Sequence, residues 1–429
     1  MRITKRHLLG FAAALPLAWL TACGGSGDNG NDAHVRLVNA SAGYASLDMY
    51  VDDNKEASAV TFGAGSGYAD VANGEPDRTL TAAGSTTELL SQSSTLDSGK
   101  RYTVVAYGWE GALKSFLMSD DEDSADSGKT KVSAFNLAVD AGELDVYLTG
   151  ESDDLATATP VVSGVDAGAQ SAFTSVSSGT YRLRVTAASS KTDIRLDVSG
   201  VVLSSTDVLT LVMAPGASGV LVHAIGVVQE GDVTPYLNTK ARARVVAAVA
   251  NAGTVSLSAG GVGLASDVKS ATIRDYMLVN AGAQTVHTAV NGTALTDQSV
   301  TFAAGSDVTL LVSGTSAADA TVHAITDDDR LPTVSTKYKL RLVHAAPSLA
   351  AENLSMTIDF SAVASDLAFG SASTFSDQTA SSAATIDITT PSSGSIYNVT
   401  DVNLLAKGIY TMFMFDTING AVGVLRKER

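Results

Sequence analysis

Few residues in this 429-residue chain are of types that do covalent or ligand chemistry, and their spacing decides how far each can go. A Gly-x-Ser-x-Gly nucleophile turn is absent; Gly63-Ala-Gly-Ser-Gly67 places its serine off-centre and reads as a turn. Gly128-Lys129-Thr130 copies the end of a phosphate-binding loop, but Asp123 stands where the first glycine belongs. The acidic run beside it would repel phosphate. Five histidines follow the signal-like N-terminus: His34, His223, His287, His323 and His344. No His-x-x-x-His spacing or cysteine pair supports zinc, so no metal is expected. His223 and His323 lie in the matching strings Val222-His-Ala-Ile225 and Val322-His-Ala-Ile325 and read as packed strand residues. The runs Asp120-Asp-Glu-Asp123 and Asp327-Asp-Asp329 lack the spaced acidic pattern of a calcium loop and read as solvated joints. Trp109, inside Gly108-Trp-Glu-Gly111, is the one candidate ligand-binding aromatic. Between two glycines it belongs at a hairpin tip, where the ring either touches a ligand or folds back over the module edge. No catalytic residue and no cofactor motif emerges.

The single cysteine, Cys23, has a different chemistry. Arg2, Lys5 and Arg6 precede an apolar run over residues 8–20, the layout of a secretion signal and too short to span a bilayer comfortably. The run ends in Leu20-Thr21-Ala22-Cys23, which resembles a bacterial lipobox. That resemblance implies cleavage between Ala22 and Cys23, a diacylglyceryl thioether on Cys23 and a palmitate-type acyl chain on its amine. Two such lipid attachments suffice for stable anchoring. Residues 24–32 contain no apolar side chain and read as a flexible tether with an r.m.s. span of roughly 15–18 Å. Gly24, rather than Asp, after the cysteine implies the outer membrane of a Gram-negative cell.

Composition limits what the remainder can be. The net charge is −17, with 28 Lys+Arg against 45 Asp+Glu, so phosphate-led nucleic-acid binding is not expected. With 45% hydrophobic residues the chain can build cores, and with one cysteine it cannot staple them.

The elements that must carry these residues recur four times. Similar opening strands begin at His34-Val-Arg-Leu-Val-Asn39, Lys131-Val-Ser-Ala-Phe-Asn136, Arg242-Ala-Arg-Val-Val-Ala247 and Lys339-Leu-Arg-Leu-Val-His344, spaced 97, 111 and 97 residues apart. Second strands follow at Leu47, Leu144, Thr254 and Leu354. An aromatic recurs at Tyr68, Phe173, Tyr276 and Phe375, and a late apolar strand around Tyr102, Val208, Val308 and Tyr410. A period near 100 residues suits a whole domain rather than a solenoid turn. The expected division is a signal peptide at 1–22, a tether at 23–32, and modules at 33–125, 130–237, 240–333 and 336–429. Within modules the period is two: Leu47, Met49 and Val51 oppose Asp48 and Tyr50, and Tyr181, Leu183 and Val185 oppose Arg182 and Arg184. Such alternation marks half-buried antiparallel strands. The expected fold is all-β: a tandem array of four immunoglobulin-like antiparallel β-sandwich modules, with a small barrel as the alternative.

Val35-Arg-Leu-Val-Asn-Ala-Ser41, Leu47-Asp-Met-Tyr-Val-Asp52, Phe62-Gly63, Tyr68 and Gly99-Lys-Arg-Tyr-Thr-Val104 together resemble the domain of unknown function 4397. Leu340-Arg-Leu-Val-His-Ala-Ala-Pro347 repeats that family's opening strand, and Leu144-Asp-Val-Tyr147 its second. Module 3 has lost the Asp and Tyr of the second strand. The resemblance implies secreted, β-rich, often lipid-anchored bacterial proteins and no assigned activity. The functional expectation is a non-enzymatic, lipid-anchored cell-envelope protein, a structural spacer or interaction scaffold facing the periplasm or the exterior. Its expected partners are the membrane and an envelope protein or glycan. An adhesin or glycan-binding protein is the first alternative, and an unrecognised envelope hydrolase the second.

Overall fold

The computed structural model describes residues 32–417 and 419–429, so Ala22, Cys23 and most of the tether lie outside the described residues. Apart from two single-turn 3₁₀ segments, Val139–Ala141 and Pro347–Leu349, every regular element described is a strand. The strands form eight sheets, two in each repeat. The opening strands, Ala33–Ser41, Lys129–Asn136, Lys240–Val249 and Lys337–Ala345, sit inside one sheet. The second strands, Ser46–Val51, Leu144–Thr149, Thr254–Ala259 and Leu354–Ile358, sit inside the other.

The sandwich expectation holds in all four modules. One pairing in each lies outside the antiparallel pattern. The opening strand runs parallel to the late apolar strand, with Arg36 opposite Thr103, Ser133 opposite Thr210, Arg244 opposite Thr309 and Arg341 opposite Thr411. Parallel neighbours need a long crossover. Here the crossover contains the whole second sheet, so closing that one pair brings the two layers together.

The alternation read along the second strand is real, with Leu47 and Met49 fully buried and Val51 nearly so. Asp48 on the other face is buried as well, because it clamps a bulge. Its carboxylate accepts from the backbone N–H of Ala59 at 2.7 Å and of Gly84 at 3.1 Å. Ala59 sits at φ 50°, a conformation L-residues seldom hold without such support. Asp145 accepts in the same way from Gly164 and Ser189. Modules 3 and 4 use a serine instead: Ser256 Oγ accepts from Asp267 N–H, and Ser355 Oγ from Asp366 N–H. Module 3 therefore kept the clamp when it lost the Asp.

Each module has its own apolar core. Two further clusters join modules in pairs. Val38, Ala40 and Val105 of module 1 pack against Phe135, Leu137 and Val212 of module 2. Val246, Ala248 and Leu311 of module 3 pack against Val343, Ala345, Phe413 and Phe415 of module 4. This explains why the opening strands are buried on both faces: one face lines the module's own core and the other meets the neighbour. Between the pairs the contact is polar and close. Ser218 donates to the carbonyl of Asp327 at 2.7 Å and accepts from Asp307 N–H at 2.9 Å. Gly305, at φ 74°, lies so near Gly216 that a Cβ on it would stand 2.8 Å from the Gly216 Cα.

If the pair interface is true core, Phe413→Ala should cost about 3–5 kcal/mol, seen as a lower urea midpoint. Phe360→Ala, at a hairpin tip where Phe360 is 99% exposed, should change stability by less than about 0.5 kcal/mol. Equal effects would remove the pair as a folding unit.

Candidate functional site

In modules 1, 3 and 4 an arginine of the opening strand points at the module junction. Arg36 is 2% exposed. Its Nε donates to Thr103 Oγ1 at 2.8 Å, and its guanidinium carbon lies 4.7 Å from the Tyr68 ring centre. Its Nη atoms donate across the junction to the carbonyls of Gly231 and Val228 in module 2, at 2.6 and 2.8 Å. Tyr68 and Thr103 both donate to Asp120 Oδ2 at 2.6 Å. Burial and this carboxylate push the Tyr68 phenol up to about 12. Module 3 repeats the arrangement with Arg244, Thr309, Tyr276 and Asp327. There the Nη atoms reach Glu428 of module 4 at 2.6 and 2.7 Å. In module 4 Arg341 bonds Thr411, covers Phe375 at 4.6 Å and pairs with Asp327 of module 3. In modules 1, 3 and 4 the aromatic that recurs in the sequence is thus the plate beneath a buried arginine. Both halves were visible in the repeats; that they touch was not.

Trp109 ends the strand Arg101–Trp109 at the place where the two pairs meet. Its Nε1 donates to Asp140 Oδ2 of module 2 at 2.8 Å, and Arg330 lies over the indole at 4.7 Å. Asp140 Oδ1 accepts from Leu331 N–H at 2.9 Å. One side chain therefore ties module 1 to module 2 and to the joint before module 4. Beside it opens a cleft of ≈ 740 Å³, lined by Trp109 and Glu110 of module 1, Leu331 of the joint, and Lys339, Phe375 and Asp377 of module 4. Its cations are already engaged. Lys339 and Arg330 both bond Asp328, and against the effect of burial they hold that carboxyl down at about 2. Thr326, Thr333, Ser373 and Thr374 add hydroxyls, but no histidine or cysteine lines the cleft. It offers an aromatic edge, hydroxyls and two exposed carboxylates, Glu110 and Asp377.

The remaining singled-out residues stay apart. Ser66 accepts from Leu37 N–H, and Gly128 turns the chain at φ 76°. His34 pairs with Asp70 and His287 with Asp297. His223 accepts from Asn238 N–H, and burial lowers its pKa to about 4. His344 is fully buried in module 4, and His323 packs against Gly370. Among the described residues no group of His, Cys, Asp or Glu is arranged to hold a metal. The acidic joints differ in part from the solvated linkers expected: Asp121 and Asp123 are exposed, but Asp120, Asp327 and Asp329 are at most 5% exposed, Asp327 and Asp329 against Arg341 and Arg242 and Asp120 against the Tyr68 and Thr103 hydroxyls.

Asp329 is the least well paired of them. Its Oδ1 has no hydrogen-bond partner, and Arg242 reaches its other oxygen at 3.4 Å while holding Asp307 at 2.7 Å. Burial first, then Asp307 and Asp327, raise its pKa well above the carboxylate range. The folded chain thus keeps a proton that the unfolded chain releases above about pH 4. Its contribution to stability must fall as pH rises from there toward the folded value. Asp329→Asn can present the same donor to Asp307 without that titration. Urea midpoints from pH 4.5 to 8 should shift progressively in the variant's favour; a constant difference would contradict this account.

The family model for "Domain of unknown function (DUF4397)" matches residues 33–147 and 241–354, more than half of the chain. Each match begins with the opening strand of an odd-numbered module and ends in the second strand of the next. No curated protein matches the chain. Among solved structures it is similar to a carbohydrate-binding module of family CBM26 from Eubacterium rectale Amy13K, in complex with maltoheptaose. The identity is 12%, over 48% of this chain and 96% of that one, with a TM-score of 0.16, too low to carry any argument about ligand. On the strength of its two matched regions, this chain belongs to the DUF4397 family.

Proposed function

We propose that this chain is a non-enzymatic, lipid-anchored cell-envelope protein, a scaffold or spacer whose four sandwiches work as a joined body. One observation carries the reading: successive modules are joined by buried groups, such as Arg244 with Glu428, side chains 1% and 3% exposed. A chain of independently swinging domains has no use for an ion pair that loses its water between neighbours. Anchoring through Cys23, after cleavage behind Ala22, would place module 1 next to an outer membrane, with an envelope protein or glycan as partner. The strongly negative net charge suits a surface that resists non-specific association. Cys23→Ser should release the protein from the membrane fraction or stop its maturation. Normal cleavage with continued membrane association would end the lipid-anchor reading.

A second reading, glycan recognition, is favoured by the position of Trp109 in the wall of the ≈ 740 Å³ cleft. The indole is partly exposed there, with Arg330 lying over it at 4.7 Å. On a glycan array the full chain should give signals that Trp109→Ala loses; signals independent of Trp109 would exclude this site.

A further inference from the structure

The repeat itself contains a gap. Three modules carry an arginine midway along the opening strand, whereas module 2 carries Ser133. The surroundings of that arginine are nevertheless present. Ser133 stands opposite Thr210, as Arg36, Arg244 and Arg341 stand opposite Thr103, Thr309 and Thr411. Phe173 holds the phase of Tyr68, Tyr276 and Phe375.

Asp120 of module 1 corresponds to Asp327 of module 3. Each accepts on Oδ2 from a tyrosine and a threonine hydroxyl, all four bonds measuring 2.6 Å. The Oδ1 of Asp327 takes the guanidinium of Arg341 from the following module. The Oδ1 of Asp120 takes nothing among the described residues, because the side chain that would reach it is a serine. Beyond Thr210 and Gln170, which both bond the Ser133 hydroxyl, opens a cavity of ≈ 230 Å³, bounded also by Asp120, Asp121, Phe173 and Gln229. Gln229 stands where module 4 has Glu428, so this junction has lost one cation and one anion together. Burial raises the Asp120 carboxyl above its ordinary range, as expected for an acid missing a cation on one oxygen.

We infer that the junction of modules 1 and 2 is a built binding site for a guanidinium group on a slim stem, lying over Phe173 and pairing with Asp120 Oδ1. A guanidinium fits where an ammonium does not: it is flat enough to stack on a ring and offers a fork of donors to carboxylate and hydroxyl together. The inference rests on the equivalence of the two pairs and is independent of the scaffold reading. A small guanidino compound and an arginine side chain of a partner protein share this chemistry.

The test is calorimetric titration of the full chain with N-methylguanidinium, with an Arg-containing tripeptide and with methylammonium, at concentrations too low to denature. Saturable binding of N-methylguanidinium and not of methylammonium is expected, with loss of binding in Asp120→Asn. Binding of the tripeptide alone would also support the site and assign it to a protein partner. Ser133→Arg should fill the cavity from within, abolish binding and raise the Tm. No saturable binding of either guanidinium probe, or unchanged binding in Ser133→Arg, would overturn the inference. Should Asp120→Asn fail to fold, the Ser133→Arg comparison decides by itself.

Discussion

A guanidinium taken out of water is tolerable only when every donor finds an acceptor and its charge finds a partner, and that requirement shapes the junctions of this protein. Arg36, Arg244 and Arg341 are all within 2% of complete burial. None could satisfy its fork inside its own module. Arg36 spends its Nη donors on module 2 carbonyls, Arg244 on Glu428, and Arg341 on Asp327. Separating two modules would strand a buried charge on one side and leave acceptors open on the other. The pairing is then specified by polar geometry and deepened by the apolar contacts around it.

This constraint divides four repeats into two pairs. The apolar clusters that cross between modules join 1 with 2 and 3 with 4. Modules 2 and 3 meet through Ser218 and the close approach of Gly216 to Gly305. The matched family regions respect the same division, each starting in the first member of a pair and running into the second. The repeating structural unit is therefore nearer 200 residues than 100, although the sequence signal has the shorter period. Trp109, Asp140 and Arg330 then fix one pair upon the other, which makes the cleft a property of the assembled stack.

Much of the site was legible in pieces. The string around Trp109 predicts a hairpin tip, and the strand does end there. Its use as a tie between modules was not legible, because Asp140 and Arg330 are distant in sequence and belong to other modules. The acidic joints illustrate the reverse error. Runs of carboxylates normally stay in water; partners from distant strands, Arg341 for Asp327 and the Tyr68 and Thr103 hydroxyls for Asp120, are what permit their burial. The recurring aromatic and the recurring arginine were both in view, yet nothing in either spacing says that one covers the other.

What the residues alone determined is local: period-two alternation, β-branched runs broken by glycine and polar turns, and a unit copied four times. These follow from pleat geometry and from hiding alternate side chains, both settled within a few residues. The folded structure decided what lies between copies. It chose which outer sheet faces turn toward each other, brought late apolar strands parallel to opening strands some 65–77 residues earlier, and set buried charges against partners on other modules. Such choices depend on complementarity between surfaces far apart in the chain, and no single stretch of sequence carries that information.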